Sequence, residues 1–172
     1  MKLSIMRHGI AETLPSSAIA RDEDRKLTKE GRTKTRLVAD GLKRLGLKFD
    51  LILTSPLARA RETAEIVAEQ FGLAKKSIKE TSALVPGSPL TDILKALQPY
   101  KDLSHILLVG HQPQLGELAS NLVCGHKDAP IRFKKAGVCQ VELDGVPPAT
   151  ASVLNFLLTP SQLELIGRAK ST

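Results

Sequence analysis

The sequence predicts an α/β three-layer sandwich, with helices on both faces of a mixed, mostly parallel sheet of about six strands. Three observations carry that expectation. The run Ile106-Leu107-Leu108-Val109 is apolar without strict alternation, as a strand covered on both faces should be. Strand-like runs alternate with amphipathic helical segments through Leu122. Beyond them, Gly137 to Leu143 and Ala151 to Leu158 are separated by the turn Gly145-Val146-Pro147-Pro148, which suits antiparallel edge partners.

The elements follow in order. Leu3 and Ile5 point to one face of a first strand, so Arg7, His8 and Gly9 arrive where that strand ends; glycine there lets the backbone approach a ligand or turn sharply. Residues 10 to 28 make a long connection containing Pro15-Ser16-Ser17 and the mixed charges Arg21-Asp22-Glu23-Asp24-Arg25-Lys26. Thr28 can cap a helix through Gly41 or beyond, with Leu37-Val38, Gly41-Leu42 and Leu45 as its apolar stripe. Residues 50 to 54 form the second strand. Ser55 then reads as a helix cap and Pro56 as the first helical residue, with Ala60, Ala64, Ile66, Val67 and Ala68 leading to Phe71-Gly72. A short strand is expected around Ser77 to Glu80, a helix over 90–97 after Pro86-Gly87-Ser88-Pro89, a buried strand over His105 to Val109, and a helix from about Pro113 to Leu122.

The chain has 172 residues, 42% of them hydrophobic, so a single domain over 1–172 with one sizeable core is expected. No apolar run nears the roughly 20 residues a bilayer span needs, and no secretory signal is evident. Cys124 and Cys139 make neither a disulfide framework nor a zinc pattern, which fits a reducing cytoplasm. Aromatic residues are only 3%, with no tryptophan, which disfavours nucleic-acid binding by base stacking. The formal charge of +7 invites an anionic partner. Lys29, Arg32, Lys34, Arg36, Lys43, Arg44 and Lys48 are interspersed with Glu30 and Asp40, so a solvated helix surface is the first reading, a phosphorylated protein the second and nucleic acid the third.

Three apolar strands end in a basic or imidazole group: Arg7-His8-Gly9, Thr54-Ser55-Pro56-Leu57-Ala58-Arg59 and Gly110-His111. Ligands in open α/β sheets bind at the carboxyl ends of strands. If these strands are neighbours, two imidazoles and two guanidiniums converge. Arginine's planar fork suits phosphate oxygens, and a neutral imidazole nitrogen can attack phosphorus when its other nitrogen holds a fixed proton. Arg59 and Arg61 also have a plainer reading, ion pairs with Glu62 or Glu65. His105 reads as structural or exposed at a strand start, and His126 as a surface loop residue. Two histidines without carboxylate or cysteine ligands nearby make a metal site a weak reading.

With those motifs in place, the chain resembles the histidine phosphatase superfamily, or phosphoglycerate-mutase-like fold, and within it the small bacterial phosphohistidine phosphatases of the SixA type. The resemblance implies that His8 becomes phosphorylated, that Arg7 and Arg59 clamp the phosphoryl group, and that His111 is another donor to it. Arg25, before Lys26-Leu27-Thr28, resembles an arginine of the smaller members; it either swings over the pocket to the substrate phosphate or pairs with Asp22 or Asp24. Larger members carry a glutamate as general acid, and acid phosphatases an aspartate after the second histidine. Gln112 stands in the latter place here. Glu80 is near the former, without the rest of the mutase-like segment.

The resulting expectation is a metal-independent, cofactor-free phosphatase acting on a histidine-phosphorylated protein, a phosphotransfer domain being the expected carrier. The protein would be a cytoplasmic monomer without nucleic-acid or membrane partners. The alternatives are a small-molecule phosphomonoesterase or mutase using Glu80 or Glu12 as acid, and a non-catalytic phosphoprotein-binding module.

Overall fold

Strand β1 (Lys2–Arg7) sorts its side chains by period two in the structure, a computed structural model that describes residues 1–13 and 21–169. Leu3 and Ile5 join one buried cluster and Met6 the other. Strand β2 spans Leu51–Thr54, β3 Ile78–Glu80, β4 His105–Gly110, β5 Val138–Glu142 and β6 Val153–Leu158. In β4, Ile106 and Leu108 face with Leu3, whereas Leu107 and Val109 face with Met6, so its unbroken apolar run is buried on both sides. The Pro15-Ser16-Ser17 stretch of the long connection lies outside the described residues.

The six strands run β3-β2-β4-β1-β5-β6. Parallel pairing joins β3 to β2, β2 to β4 and β4 to β1, while β5 is antiparallel to both β1 and β6. The mostly parallel, mixed sheet is therefore as expected. Because Arg7 is in register with Gly110, and Thr54 with Val109, three strands end side by side at the same level.

Helices α3 (Leu90–Leu97) and α4 (Gln114–Cys124) cover the Leu3 face; α1 (Lys29–Arg44), α2 (Ala58–Phe71) and α5 (Pro160–Arg168) cover the Met6 face. Thr28 caps α1 as expected, its Oγ1 accepting from the Gly31 N–H at 2.9 Å. Two expectations need correction there. Leu45 is 44% exposed, because α1 ends at Arg44 and Leu45 is its cap. The cap of α2 is Leu57 rather than Ser55, since Ser55 still extends the sheet ladder, its N–H donating to Val109 O at 3.0 Å.

Helix α5 has no counterpart among the expected elements. It starts with a capping box between Thr159 and Gln162 and Pro160 in its first turn, and only Leu163 is deeply buried. It lies so close to α1 that a Cβ on Gly41 would sit 2.2 Å from Leu163 O. A glycine in a helix interior costs about 1 kcal/mol relative to alanine, and here that cost permits the backbone approach.

His105 proves buried and structural. Its Nε2 lies 2.9 Å from Ser4 Oγ, and its ring stands edge-on to Phe49. His126 is exposed. Among the described residues, no helix is long and apolar enough to cross a membrane.

Candidate active site

The ladder between β1 and β4 continues one residue past β1, through His8 N–H to Gly110 O, the last residue of β4, at 3.0 Å. His8 and His111 are consequently neighbours, with ring centroids 5.1 Å apart and both side chains buried. His8 Nδ1 donates to Gly9 O at 2.7 Å, which leaves Nε2 with its lone pair. Desolvation is the main influence on this imidazole; the Gly9 bond opposes it, and the charges of Arg59, Arg7 and Lys135 add to it, so the pKa falls to about 4. Near neutral pH His8 is uncharged and lies among cations, as a candidate nucleophile should.

His111 is also neutral, its pKa lowered to about 3 by burial first and by His8 and Arg59 next. Its Nε2 is 2.9 Å from Ser55 Oγ. That oxygen also accepts from Leu57 N–H at 3.3 Å, and its hydroxyl hydrogen can be given to Nε2; in that tautomer the ring proton sits on Nδ1. That Nδ1 is buried without a protein partner. An uncompensated Nδ1–H donor beside His8, as that tautomer supplies, is suited to an oxyanion. Ser55 therefore works here as an orienting group, and its reading as a helix cap hid that role.

Arg7 is held at the end of β1 by NH1 donating to Phe133 O at 2.9 Å, while its Nε is buried and unpartnered. Arg59, in the first turn of α2, is only 5% exposed. Its two terminal nitrogens donate to Asp22 O at 2.7 Å and Asp22 Oδ2 at 2.9 Å. The other Asp22 oxygen accepts from Arg25 NH1 at 2.8 Å, and Arg25 Nε donates to Glu12 O at 2.6 Å. Of the two readings of Arg25, the structure thus contains the ion pair with Asp22, and this same carboxylate ties Arg25 to Arg59. The hydrogen bond from Arg25 is the largest influence holding the Asp22 carboxyl below its ordinary range, with Arg59 adding to it.

The plainer reading of the α2 arginines is replaced in part. Glu62 accepts from Leu27 N–H at 2.7 Å and pairs with Arg32 at 2.6 Å, which anchors the long connection; Arg61 is 3.9 Å from Glu65. Gly9 is also held to glycine by its packing. A Cβ there would lie 2.5 Å from Thr35 Oγ1 on α1, and its N–H donates to Thr63 Oγ1 at 3.0 Å. Its contribution to the site is the carbonyl that orients His8. Glu80 ends β3 with an exposed carboxylate 4.0 Å from Arg61, and it shares no hydrogen bond with His8, His111, Arg7 or Arg59. Among the described residues there is no group of three or more histidine, cysteine, aspartate or glutamate side chains placed to hold a metal ion.

The buried imidazoles predict an acid-sensitive fold. His8 and His105 have pKa values lowered to about 4 and His111 to about 3, whereas unfolded histidine titrates near 6.5. The unfolded chain therefore binds more protons below pH ~6.5, so stability is full above that value and declines as pH falls toward 4. Each histidine contributes a slope of at most about 1.4 kcal/mol per pH unit in that window. Urea midpoints measured from pH 7.5 to 4.5 should fall steadily below about 6.5. A flat profile there would contradict neutral, buried imidazoles.

A sequence model described as the histidine phosphatase superfamily (branch 1) matches residues 3–84. The chain is 32% identical to a phosphohistidine phosphatase SixA homolog of Haemophilus influenzae, over 84% of this chain and 90% of that protein. It is 29% identical to phosphohistidine phosphatase SixA of Escherichia coli, over 96% and 98% of the two chains. The structure of protein histidine phosphatase SixA complexed with tungstate superposes with a TM-score of 0.81 at 28% identity, covering 95% of this chain and 99% of that one.

Proposed function

The chain belongs to the histidine phosphatase superfamily, and from that premise we propose that it hydrolyses phosphohistidine on proteins through a phosphorylated His8, without a metal or organic cofactor. One observation carries this reading: a neutral His8, with its lone-pair nitrogen fixed by Gly9, sits among guanidiniums, and no carboxylate among the described residues hydrogen-bonds to it. Among the described residues, no carboxylate hydrogen-bonds to either His8 or His111. Asp22, the carboxylate tied to Arg59, is kept ionised by its two arginines. The similarity to proteins bearing the phosphohistidine phosphatase name supports the same substrate class.

The chemistry follows from the groups present. His8 Nε2 attacks phosphorus as the substrate P–N bond breaks, and the partner's imidazole, protonated on its far nitrogen, leaves neutral. Arg7, Arg59 and the His111 Nδ1–H hold the phosphoryl oxygens as charge redistributes. Water then attacks phospho-His8; its P–N bond breaks, the nitrogen recovers its lone pair, and the water proton leaves with inorganic phosphate. An alkoxide leaving from a sugar phosphate would need a proton donor, and the described residues hold no carboxyl group bonded to His8 or His111 to supply it, whereas neutral imidazole leaves without one.

The test compares kcat/KM for a histidine-phosphorylated phosphotransfer domain with values for phosphoserine, phosphotyrosine and sugar-phosphate substrates. Preference for the phosphohistidine protein by about tenfold or more, equivalent to ~1.4 kcal/mol of transition-state discrimination, is the expected result. Equal or better turnover of the small esters would overturn the substrate assignment while leaving His8 as the nucleophile.

A further inference from the structure

We propose that the turn Lys134-Lys135-Ala136-Gly137 builds a second anion subsite next to the phosphoryl pocket, which receives an aspartate or glutamate side chain flanking the phosphohistidine of the partner protein. The proposal rests on the phosphohistidine reading and specifies what that partner must carry.

The turn is fastened directly to the candidate catalytic strand. Ala136 N–H is shared between Arg7 O and His8 O, each at 3.1 Å, and Arg7 N–H donates to Gly137 O at 3.1 Å. A further bond from Gly137 N–H to Lys134 O at 2.8 Å closes the turn. Ala136 adopts φ 65°, a left-handed conformation that a residue with a Cβ takes only against a steric penalty. Strain of this kind persists where the surroundings over-determine it, and it occurs preferentially at functional positions. Here it places two consecutive lysines beside Arg7.

Those lysines line a cleft of about 370 Å³ together with Arg7, Lys34 and Glu164. Two of its charges are already matched, since Lys34 is 2.7 Å from Glu30 and Glu164 is 3.6 Å from Arg168. Among the described residues, neither Lys134 nor Lys135 has a carboxylate within 4.0 Å, and both are exposed. The charge of Lys135 reaches the phosphoryl pocket, being among the influences that lower the His8 pKa. Arg7, one of the groups proposed to hold the phosphoryl oxygens, also lines the cleft, so a ligand with a second negative group a short distance from its phosphoryl group can engage both. On a protein surface that group is an acidic side chain near the phosphohistidine. Lysine suits it, because a flexible ammonium can follow carboxylates in varied positions.

The experiment uses two peptides bearing a stable phosphohistidine analogue, one flanked by glutamates and one by alanines, with inorganic phosphate as a single-anion probe. Affinities are measured by calorimetry at low ionic strength on the full chain and on its Lys134→Ala/Lys135→Ala variant, whose folding is checked by its thermal midpoint. The glutamate peptide should bind the unmodified protein about tenfold more tightly, with the gap shrinking to about twofold or less in the variant and in high salt. Equal affinity for both peptides would overturn the subsite while leaving the phosphohistidine reading in place. A preference that survives in the variant would overturn the assignment to these lysines. Binding of phosphate but of neither peptide would overturn both the substrate reading and the subsite.

Discussion

Replacing His8 with alanine is expected to lower kcat/KM by about ten-thousand-fold or more, since loss of a covalent nucleophile leaves only binding and oxyanion stabilisation. The geometry makes the loss specific. His8 Nε2 keeps its lone pair because Nδ1 is bonded to Gly9 O, whereas the Nε2 of His111 is already engaged with Ser55 Oγ at 2.9 Å. The His8→Ala variant should still fold, because the ladder bond from residue 8 to Gly110 is made by the backbone. Full activity in this variant would remove the nucleophile from the account; an unchanged circular dichroism spectrum separates a chemical loss from misfolding.

Arg59→Ala should be the next largest effect, a fall of about 10²–10³ in kcat/KM. Two consequences act together. A buried guanidinium is lost beside His8, and Asp22 loses the two bonds that tie the loop carrying Arg25 to α2. Arg59→Lys should recover only part of the loss, since an ammonium keeps the charge but cannot reproduce the fork that binds both Asp22 O and Asp22 Oδ2. Steady-state kinetics of the two variants checks this. A change below about threefold in the alanine variant would mean that Arg59 anchors the loop without touching the phosphoryl group.

What could be read from the residues alone was local, and what escaped was long-range. The run Ile106 to Val109 is apolar at every position, and Thr28 precedes a helical stripe, so β4 and the start of α1 were legible from pattern. The same holds for the strand ends at Arg7-His8-Gly9 and Gly110-His111. Their convergence was implied by resemblance to a family; no local pattern states that β1 lies beside β4. The bonds from Ser55 to His111 and from Arg59 to Asp22 join residues 56 and 37 positions apart, so neither orienting role is visible in a spacing. Ser55-Pro56 matched a helix start, but the ladder bond to Val109 keeps Ser55 in the sheet, and α2 begins at Ala58. Helix α5 escaped because only Leu163 is fully buried, although Thr159-Pro160-Ser161-Gln162 carried a readable capping signal. Gly9 was legible as a special position; that the constraint comes from Thr35 on α1 was not.

The most direct measurement is rapid-quench mass spectrometry of the protein mixed with a histidine-phosphorylated phosphotransfer domain. Acid-labile phosphate should appear on the His8 peptide within the first turnover, decay as inorganic phosphate is released, and be absent from the His8→Ala variant. Phosphate release from that domain with no phosphate ever found on His8, or with phosphate on another residue, would contradict the account.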